Sequence, residues 1–322
     1  MKKRFGKVLL GVVGVVGLLV AGVLGRFYGM FPKIRAAQAM SAPTSPEALA
    51  RGAYLVNHVA ACLGCHSEVQ STVPGEPVVP GTEGAGRVFN DPSFPGALRS
   101  TNITPDPETG IGNWSDGEIV RAIREGVSKN GRPLVSMMPY QVYGKNLSDE
   151  DALAIVAYLR TLKPIRKASL PAKAEFPVSM FMREMPAPVV TPIPPAPAPT
   201  DKKARGEWLL QMASCHDCHD TVNDRHETVG KPFGGGFAFY AGSKGVVRAP
   251  NISSDPATGI GAYSEADLRR ALEDGIGKSG RKLYVMPWSY YKGLTAEDKD
   301  ALVSALKAAP PIVNMVPANT AQ

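Results

Sequence analysis

The sequence predicts a mainly α-helical protein, built from two tandem copies of one small domain behind an N-terminal transmembrane helix. A long uncharged apolar run follows a short basic start. In the rest of the chain, one set of short motifs occurs twice in the same order. Helix start and stop signals recur between these motifs, and no stretch shows the polar–apolar alternation of a strand.

The apolar run, Val8 to Gly25, consists only of Val, Leu, Gly and Ala. As a helix it spans ~27 Å, close to the ~30 Å hydrocarbon core of a bilayer. The basic residues before it favour a cytoplasmic N-terminus. We therefore expect residues 1–35 to be a single-pass anchor in the cytoplasmic (inner) membrane, with the chain after Arg26 on the periplasmic or extracytoplasmic side.

A cleaved signal peptide is the alternative for this segment. Small residues suited to cleavage occur at Ala37-Gln38-Ala39, but they lie well beyond the apolar run. Signal peptides usually have an apolar region of only ~7–15 residues followed closely by the cleavage site. A retained anchor is favoured, and either alternative exports the body of the protein.

The positive charge of the chain is confined to its N-terminus. Of the 36 Lys and Arg residues, seven lie in residues 1–35, which hold no acidic residue. The remaining 29 basic residues balance all 29 acidic ones. A basic surface for nucleic acid therefore has no support, and we expect no nucleic-acid partner.

The repeat is clearest in the run Asn102-Ile-Thr-Pro-Asp-Pro-Glu-Thr-Gly-Ile-Gly, which recurs 149 residues later from Asn251 with three substitutions. Its other paired motifs begin at Arg51 and Arg205, Cys62 and Cys215, and Met138 and Met286. Such self-similarity predicts two domains of one fold, at residues 45–166 and 204–311.

Residues 167–203 are predicted to be a proline-rich linker. Residues 186–200 contain seven prolines, which fix φ and cannot donate a backbone hydrogen bond. This stretch should therefore be extended, and the sequence leaves open whether it separates the domains or lies across them.

Each copy is predicted to hold three helices joined by long loops. The apolar side chains are too few to fill the core of such loop-rich domains, so we expect another group to fill it. The predicted helices are Arg51–Ala61, the helix from Ser115 to Gly126 and the helix from Ser148 in the first copy, and Arg205–Ser214, the helix from Ser264 to Gly275 and the helix from Thr295 in the second.

Every cysteine of the chain lies in a Cys-x-x-Cys-His motif, and this motif is the attachment signature of c-type haem. Two thiols one helical turn apart can add to the two vinyl groups of one porphyrin, and the adjoining histidine can then ligate the iron. The sequence therefore predicts two covalently bound haem c groups. Their attachment residues are Cys62, Cys65 and His66, and Cys215, Cys218 and His219.

Zinc is the alternative metal, because two such motifs could supply one tetrahedral site. The two motifs are far apart in sequence and each belongs to its own copy of the repeat, which favours haem. Disulfide formation, common for cysteines in exported chains, is disfavoured by the histidine that follows each pair.

A methionine is the usual sixth ligand of electron-transferring cytochromes c. Met138-Pro139 and Met286-Pro287 follow the two histidines at similar distances, so we predict that Met138 and Met286 ligate the two irons. Alignment of the copies on Arg132 and Arg281 without a gap would select Met137 instead.

The motifs from Cys62 onwards, Asn-Ile-Thr-Pro-Asp-x-x-Thr-Gly-Ile-Gly-x-Trp-Ser-Asp, Gly-Arg-Pro-Leu and Met-Pro-Tyr resemble those of the cytochrome c subunits of membrane-bound alcohol and gluconate dehydrogenases. The resemblance covers both copies and implies class I cytochrome c folds. It also implies that electrons pass from an exported dehydrogenase to quinone or a terminal oxidase. Those subunits typically carry three haems, whereas this chain has motifs for two.

We therefore expect a membrane-anchored di-haem electron carrier and not an enzyme. Its expected partners are redox proteins: a dehydrogenase subunit, an oxidase or a quinol-oxidising complex. The alternative function is a catalytic di-haem enzyme, such as a peroxidase or a sulfur-compound dehydrogenase. That activity requires an open iron, which a Met-Pro in each copy disfavours. A third alternative is a non-redox scaffold that holds a metal.

Overall fold

The computed structural model describes residues 2–90, 94–223, 228–230, 232–240, 245–317 and 319. This part of the chain is mainly helical, as predicted from the sequence. The α-helices are α1 (Lys2–Met30), α2 (Pro46–Tyr54), α3 (Cys62–His66), α4 (Asp116–Glu125), α5 (Tyr140–Asn146), α6 (Asp149–Thr161), α7 (Val178–Phe181), α8 (Lys202–Met212), α9 (Cys215–His219), α10 (Glu265–Glu273), α11 (Trp288–Tyr291) and α12 (Ala296–Ala308).

Helix α1 contains one stretch long and apolar enough to cross a membrane, residues 7–30, and its apolar 18-residue window has a mean hydropathy of 2.7 and is not buried in the protein. Length and composition of this kind suit a membrane anchor or a signal sequence. The chain after α1 packs on α4: Arg35 pairs with the buried Glu125 at 2.7 Å, and the carbonyl of Gln38 abuts Gly117.

The helix boundaries follow the capping signals of the sequence. Ser115 and Ser264 both form the predicted capping boxes, and Ser148 and Thr295 cap the last helix of each copy. Helix α4 ends at Gly126, which has a φ of +70° that a side chain would strain. These local signals placed the helix starts to within a residue.

The segment that runs from the first helix to the cysteine motif is one residue longer in the first copy than in the second. In the second copy, α8 is a regular α-helix that ends just before the cysteines. In the first copy, α2 continues as a π-helical turn, Leu55–Val59, in which the Ala60 amide donates to the Leu55 carbonyl at 2.8 Å. A π turn holds one residue more than an α turn, so it absorbs the extra residue between Arg51 and Cys62.

Two small antiparallel sheets occur that the sequence did not predict. Strand β1 (Gly96–Ala97) pairs with β2 (Lys173–Ala174), and β3 (Ala238–Tyr240) pairs with β4 (Val246–Arg248). Strands of two or three residues are too short to show alternation, which explains why the pattern was missed. The first sheet joins the N-terminal copy to the linker.

The linker lies across the molecule and does not act as a free spacer. The Val189 amide donates to the Glu125 carboxylate at 3.1 Å, and the Pro197 carbonyl accepts from Arg205 at 3.1 Å. Ala196 packs against the shared apolar core. The proline-rich stretch has neither helix nor strand and contacts both copies of the repeat.

The two copies of the repeat pack on each other through equivalent side chains. The Tyr54 hydroxyl donates to Asp298 in the second copy at 2.5 Å. Trp208, at the position of Tyr54 in the second copy, donates from Nε1 to the Asn146 carbonyl in the first copy at 2.9 Å. One apolar cluster runs through α2, α6, α8 and α12, so the copies share a continuous core.

Candidate functional site

The cysteine motifs form two short helices with the same geometry. Each helix, α3 and α9, begins after a residue in the left-handed region, Ala61 with φ +46° and Ser214 with φ +55°. The same turn hydrogen bond closes both: Gly64 donates to Ala61 at 2.9 Å, and Asp217 donates to Ser214 at 3.1 Å. Non-glycine residues rarely adopt this conformation, and its recurrence marks a functional constraint.

In both motifs the histidine has one nitrogen free for a metal. His66 Nδ1 lies 2.8 Å from the Thr101 carbonyl, and His219 Nδ1 lies 2.9 Å from the Pro250 carbonyl. A carbonyl only accepts, so Nδ1 carries the proton and Nε2 keeps its lone pair. Burial lowers the pKa of both imidazoles, which keeps them neutral and able to ligate.

The longest repeated motif is the loop that supplies these carbonyls. The Asn102 side chain accepts from the Thr104 amide at 2.9 Å and donates to the Ile165 carbonyl at 2.7 Å. Asn251 makes the matching bonds, to the Ser253 amide at 2.9 Å and the Ile312 carbonyl at 2.7 Å. Each asparagine thereby fixes the carbonyl just before it against the histidine. The sequence marked this motif by its repetition but did not reveal its role.

The methionine loops are also equivalent in the two copies. The Tyr140 amide donates to the Met138 carbonyl at 2.8 Å, and the Trp288 amide donates to the Met286 carbonyl at 2.9 Å. The intervening prolines share one conformation, with ψ of 45° in both. The structure thus pairs Met138, not Met137, with Met286.

Before the methionine loop, the two copies align without a gap, as in the alternative alignment on Arg132 and Arg281. Leu134 donates to the Gly126 carbonyl at 2.8 Å, and Leu283 donates to the Gly275 carbonyl at 2.7 Å, without a gap between the copies. The extra residue of the first copy therefore lies in the short turn between Leu134 and Met138. Met137 sits in that turn with 41% of its surface exposed, whereas Met138 packs against the core.

The thiols are poorly suited to act as thiolates. Burial raises the pKa of Cys62, Cys215 and Cys218 to about 12, so they remain neutral thiols at physiological pH. Disulfide exchange requires a thiolate, so the raised pKa disfavours it. Over the described ranges, no group of three or more His, Cys, Asp or Glu side chains is placed to hold a metal ion.

The donor set fits a haem. Each copy offers two neighbouring thiols for thioether bonds, an imidazole with a free Nε2 and, on a separate loop, a methionine thioether. The buried Tyr140 hydroxyl beside the first methionine has no hydrogen-bond partner among the described residues. A buried hydroxyl without a partner is costly, and a carboxylate or other polar group of a bound ligand would satisfy it.

The two cysteine motifs lie close to each other across the contact between the copies. Tyr143 is fully buried beside Cys62 and Cys65 of its own copy and Asp217 of the other; burial, then these neighbours, raise its pKa well above the ordinary value. Tyr291, its equivalent, donates to the Ala213 carbonyl at 2.7 Å. Both tyrosines thus lie within electrostatic range of both motifs.

Tyr290 crosses from the second copy onto the first motif. Its ring lies against Gly64, where a Cβ atom would come within 3.0 Å, and its hydroxyl donates to the Glu76 carbonyl at 3.1 Å. His58 lies on the π-helical turn, and its Nδ1 atom is 3.0 Å from the Tyr290 carbonyl oxygen. The sequence did not single out Tyr290, because the first copy has Val142 at this position.

These features are those expected of a c-type cytochrome, and comparison with known proteins points in the same direction. Residues 49–163 match the family model of cytochrome c. This part of the chain is therefore similar to cytochrome c, and a larger part of the chain is similar to proteins named as cytochrome c subunits of dehydrogenases.

Two such subunits are among the similar proteins. The chain is 31% identical over 246 residues to the cytochrome c subunit of the alcohol dehydrogenase (quinone) of Gluconobacter oxydans, an alignment that covers 74% of this chain and 49% of the relative. It is 33% identical over 235 residues to the gluconate 2-dehydrogenase cytochrome c subunit of Pantoea cypripedii, with 70% and 50% covered.

A protein described as a diheme cytochrome c-type, from Cereibacter sphaeroides, is 27% identical over 166 residues, which cover 50% of this chain and 54% of the relative. The chain thus spans about half the length of these relatives.

Proposed function

We propose that this chain is a membrane-anchored di-haem cytochrome c that relays single electrons, with each copy of the repeat forming one class I cytochrome c domain. The observation that carries the proposal is the same pair of features in both copies: a histidine whose Nε2 is free, and a methionine on the matching loop. The haem-binding residues would be Cys62, Cys65, His66 and Met138, and Cys215, Cys218, His219 and Met286.

The chain's own residues would fix the position and orientation of the groups at each haem site. The cysteines tether the porphyrin edge, and the Thr101 and Pro250 carbonyls fix the orientation of the two imidazoles. A bound haem c supplies one-electron iron chemistry, and a methionine ligand favours its reduced form. Because each copy would supply both a histidine and a methionine to its iron, no position would be left for a substrate, which favours a carrier over a catalytic di-haem enzyme.

The contact between the copies supports electron exchange between the two sites. Tyr143 and Tyr291 are both buried within electrostatic range of both motifs, and Tyr290 of the second copy contacts Gly64 of the first motif. A shared core holds the copies in one arrangement, so the distance between the sites would not vary with a flexible linker. An electron could therefore enter at one copy and leave at the other.

The anchor and the partners follow from α1 and the relatives. Helix α1 would hold the protein in the inner membrane with the haem domains on the periplasmic side. The relatives are named as subunits of dehydrogenases, which supports a dehydrogenase subunit as a partner. A quinol-oxidising complex is the alternative donor, and an oxidase would be the acceptor. Co-purification from native membranes would identify them.

The haem content tests this proposal directly. Acid–acetone extraction should leave the haem on the polypeptide, and the mass should exceed that of the chain by two haem groups. Optical and EPR spectra should show two low-spin haems. A high-spin fraction would support the catalytic alternative, and a chain without covalent haem would overturn the proposal.

A further inference from the structure

The end of α1 is locked onto a short segment of the linker. Unlike the rest of the helix, Phe27 is buried, with 8% exposed, and so is Phe31 just beyond the helix end. The Arg183 guanidinium donates to the Phe27 carbonyl at 3.1 Å and to the Phe31 carbonyl at 2.6 Å. A cation at the last carbonyls of a helix caps it and complements its dipole.

Two side-chain contacts reinforce this connection. Phe181 stacks edge-on against Phe27 with ring centroids 5.5 Å apart, and Arg26 pairs with Glu184 at 2.9 Å. Phe181, Arg183 and Glu184 belong to α7 and to the 3₁₀ turn, Met182–Glu184, that follows it. We call residues 176–184 the seat.

The seat exposes aromatic surface at the level of the helix end. Phe176 is 69% exposed and Phe181 is 55% exposed, and Leu170 nearby is 67% exposed. Since Phe181 touches the last turn of α1, it must lie at the depth at which that helix leaves the hydrocarbon core. Aromatic and arginine side chains are enriched at this depth in membrane proteins.

The seat is tied to the N-terminal copy. Strand β2, just before the seat, pairs with β1, and the Glu175 amide donates to the Pro95 carbonyl at 2.8 Å. Thr101 is only four positions after Ala97 of β1, so the two residues lie at most ~14 Å apart. Thr101 is the residue whose carbonyl holds His66.

We propose that the seat lies in the interfacial layer of the lipid bilayer and holds the N-terminal copy, with the site of His66, at the membrane surface. This rests on the proposed role of α1 as a membrane anchor. The occupant of the aromatic surface is lipid, because that surface is continuous with the lipid-facing side of α1. The N-terminal site is then the one placed to exchange electrons with a membrane-embedded partner.

Spin labels on the full-length holoprotein in phosphatidylcholine nanodiscs test the proposal. Labels at Phe176→Cys and Phe181→Cys should collide with oxygen several-fold more often, relative to a water-soluble nickel chelate, than a label at Val313→Cys. Val313 is a matched control, because it is 83% exposed and lies beside the Asn251 loop of the C-terminal copy. A label at Val16→Cys reports whether α1 itself is in the bilayer.

The outcomes separate the two proposals. Lipid-like values at Val16, Phe176 and Phe181, with a water-like value at Val313, support the position proposed for the seat. A lipid-like value at Val16 with water-like values at Phe176 and Phe181 overturns the seat alone, and a water-like value at Val16 overturns the anchor. Low collision rates with both oxygen and the nickel chelate at the seat would mean that protein, and not lipid, covers it. That result would also overturn the proposal. Labelling of the unaltered protein by a lipid-phase carbene reagent should mark peptide 167–185.

Discussion

The two copies of the repeat differ most in how their equivalent ion pairs are buried. In the first copy, Arg51 pairs with Asp151 at 2.7 Å, and the arginine side chain is 29% exposed. In the second, Arg205 pairs with Asp298 at the same distance, and both side chains are almost fully buried, at 6% and 1%. The same arginine–aspartate pair is thus partly exposed next to helix α2 and buried next to helix α8.

The second ion pair is covered both by Tyr54 and by the linker, whose Pro197 carbonyl accepts from Arg205. The Tyr54 hydroxyl reaches from the first copy to Asp298, while Trp208, which replaces it in the second copy, bonds the Asn146 carbonyl and leaves Asp151 alone. Asp298 therefore accepts hydrogen bonds from side chains of both copies, whereas Asp151 accepts them from its own copy. The comparison teaches that both ion pairs take part in the contact between the copies, but differently: Asp298 accepts a hydrogen bond from Tyr54, whereas Arg51 lies over the Trp208 ring at 5.9 Å.

The largest expected effect concerns the methionines that the structure makes equivalent. Met138→Ala and Met286→Ala should each convert one haem of two from low to high spin and lower its potential, because the thioether favours the reduced iron. Met137→Ala is the matched control and should change neither haem. EPR and redox titration of the three variants would check this. A spin change in Met137→Ala alone would show that the exposed methionine is the ligand.

Next in size is the loss of the buried ion pair. Arg205→Met should lower the free energy of unfolding by about 3–5 kcal/mol, because Asp298 would remain buried without its cation. Arg51→Met should cost less, about 1–3 kcal/mol, because solvent reaches the N-terminal pair. Urea unfolding followed by circular dichroism compares the two. Equal costs would mean that burial does not distinguish the copies.

A smaller effect is expected for the tyrosine that crosses the contact. Tyr54→Phe removes a hydrogen bond to a charged group and should cost about 1.5–3 kcal/mol at neutral pH, measured by the same unfolding experiment. Trp208→Phe, the equivalent change in the second copy, leaves Asp298 untouched and should not share the pH dependence described next.

The pH dependence of this cost follows from the pKa values of the pair. Burial and Asp298 raise the pKa of Tyr54 to about 12, whereas a free tyrosine titrates near 10. The unfolded chain therefore loses this proton first, so the stabilisation is complete below pH ~10 and is lost as the pH rises towards 12. The difference between the wild type and Tyr54→Phe should shrink over that window. A difference that stays constant to pH 12 would contradict the bond.

The acid side of the same pair gives a second window. Burial acts to raise the pKa of Asp298, but the hydrogen bonds from Arg205 and Tyr54 outweigh it, and the pKa lies below its ordinary value. The stabilisation by Asp298 is present above the unfolded pKa of ~4 and is lost as the pH falls through the folded value. Arg205→Met should therefore lose less stability than the wild type on acidification.

The smallest expected effect is that of Tyr290→Phe. This change removes one neutral hydrogen bond, to the Glu76 carbonyl, and should cost about 0.5–1.5 kcal/mol. Because the ring still covers Gly64, both haem spectra should stay unchanged. A spectral change at the first haem alone would show that the hydroxyl, and not the ring, supports that site.

Local signals in the sequence were sufficient for much of the fold. The capping residues Ser115, Ser264, Ser148 and Thr295 set the helix starts, because the bonds that define a cap reach only a few residues along the chain. The one-turn spacing of each cysteine pair indicated the chemistry of the site for the same reason. The repeat itself was visible by comparing the chain with itself.

What the sequence by itself determined is thus local: an apolar N-terminal helix, two copies of one helical unit and the residues of two haem motifs. Only the tertiary structure decided that Thr101 and Pro250 orient the histidines, that Tyr54 crosses to Asp298 and that the linker contacts both copies. These contacts join residues far apart in the chain, and such pairs leave no periodicity or spacing in one sequence. Their partners are set by how the helices pack, which local patterns do not encode.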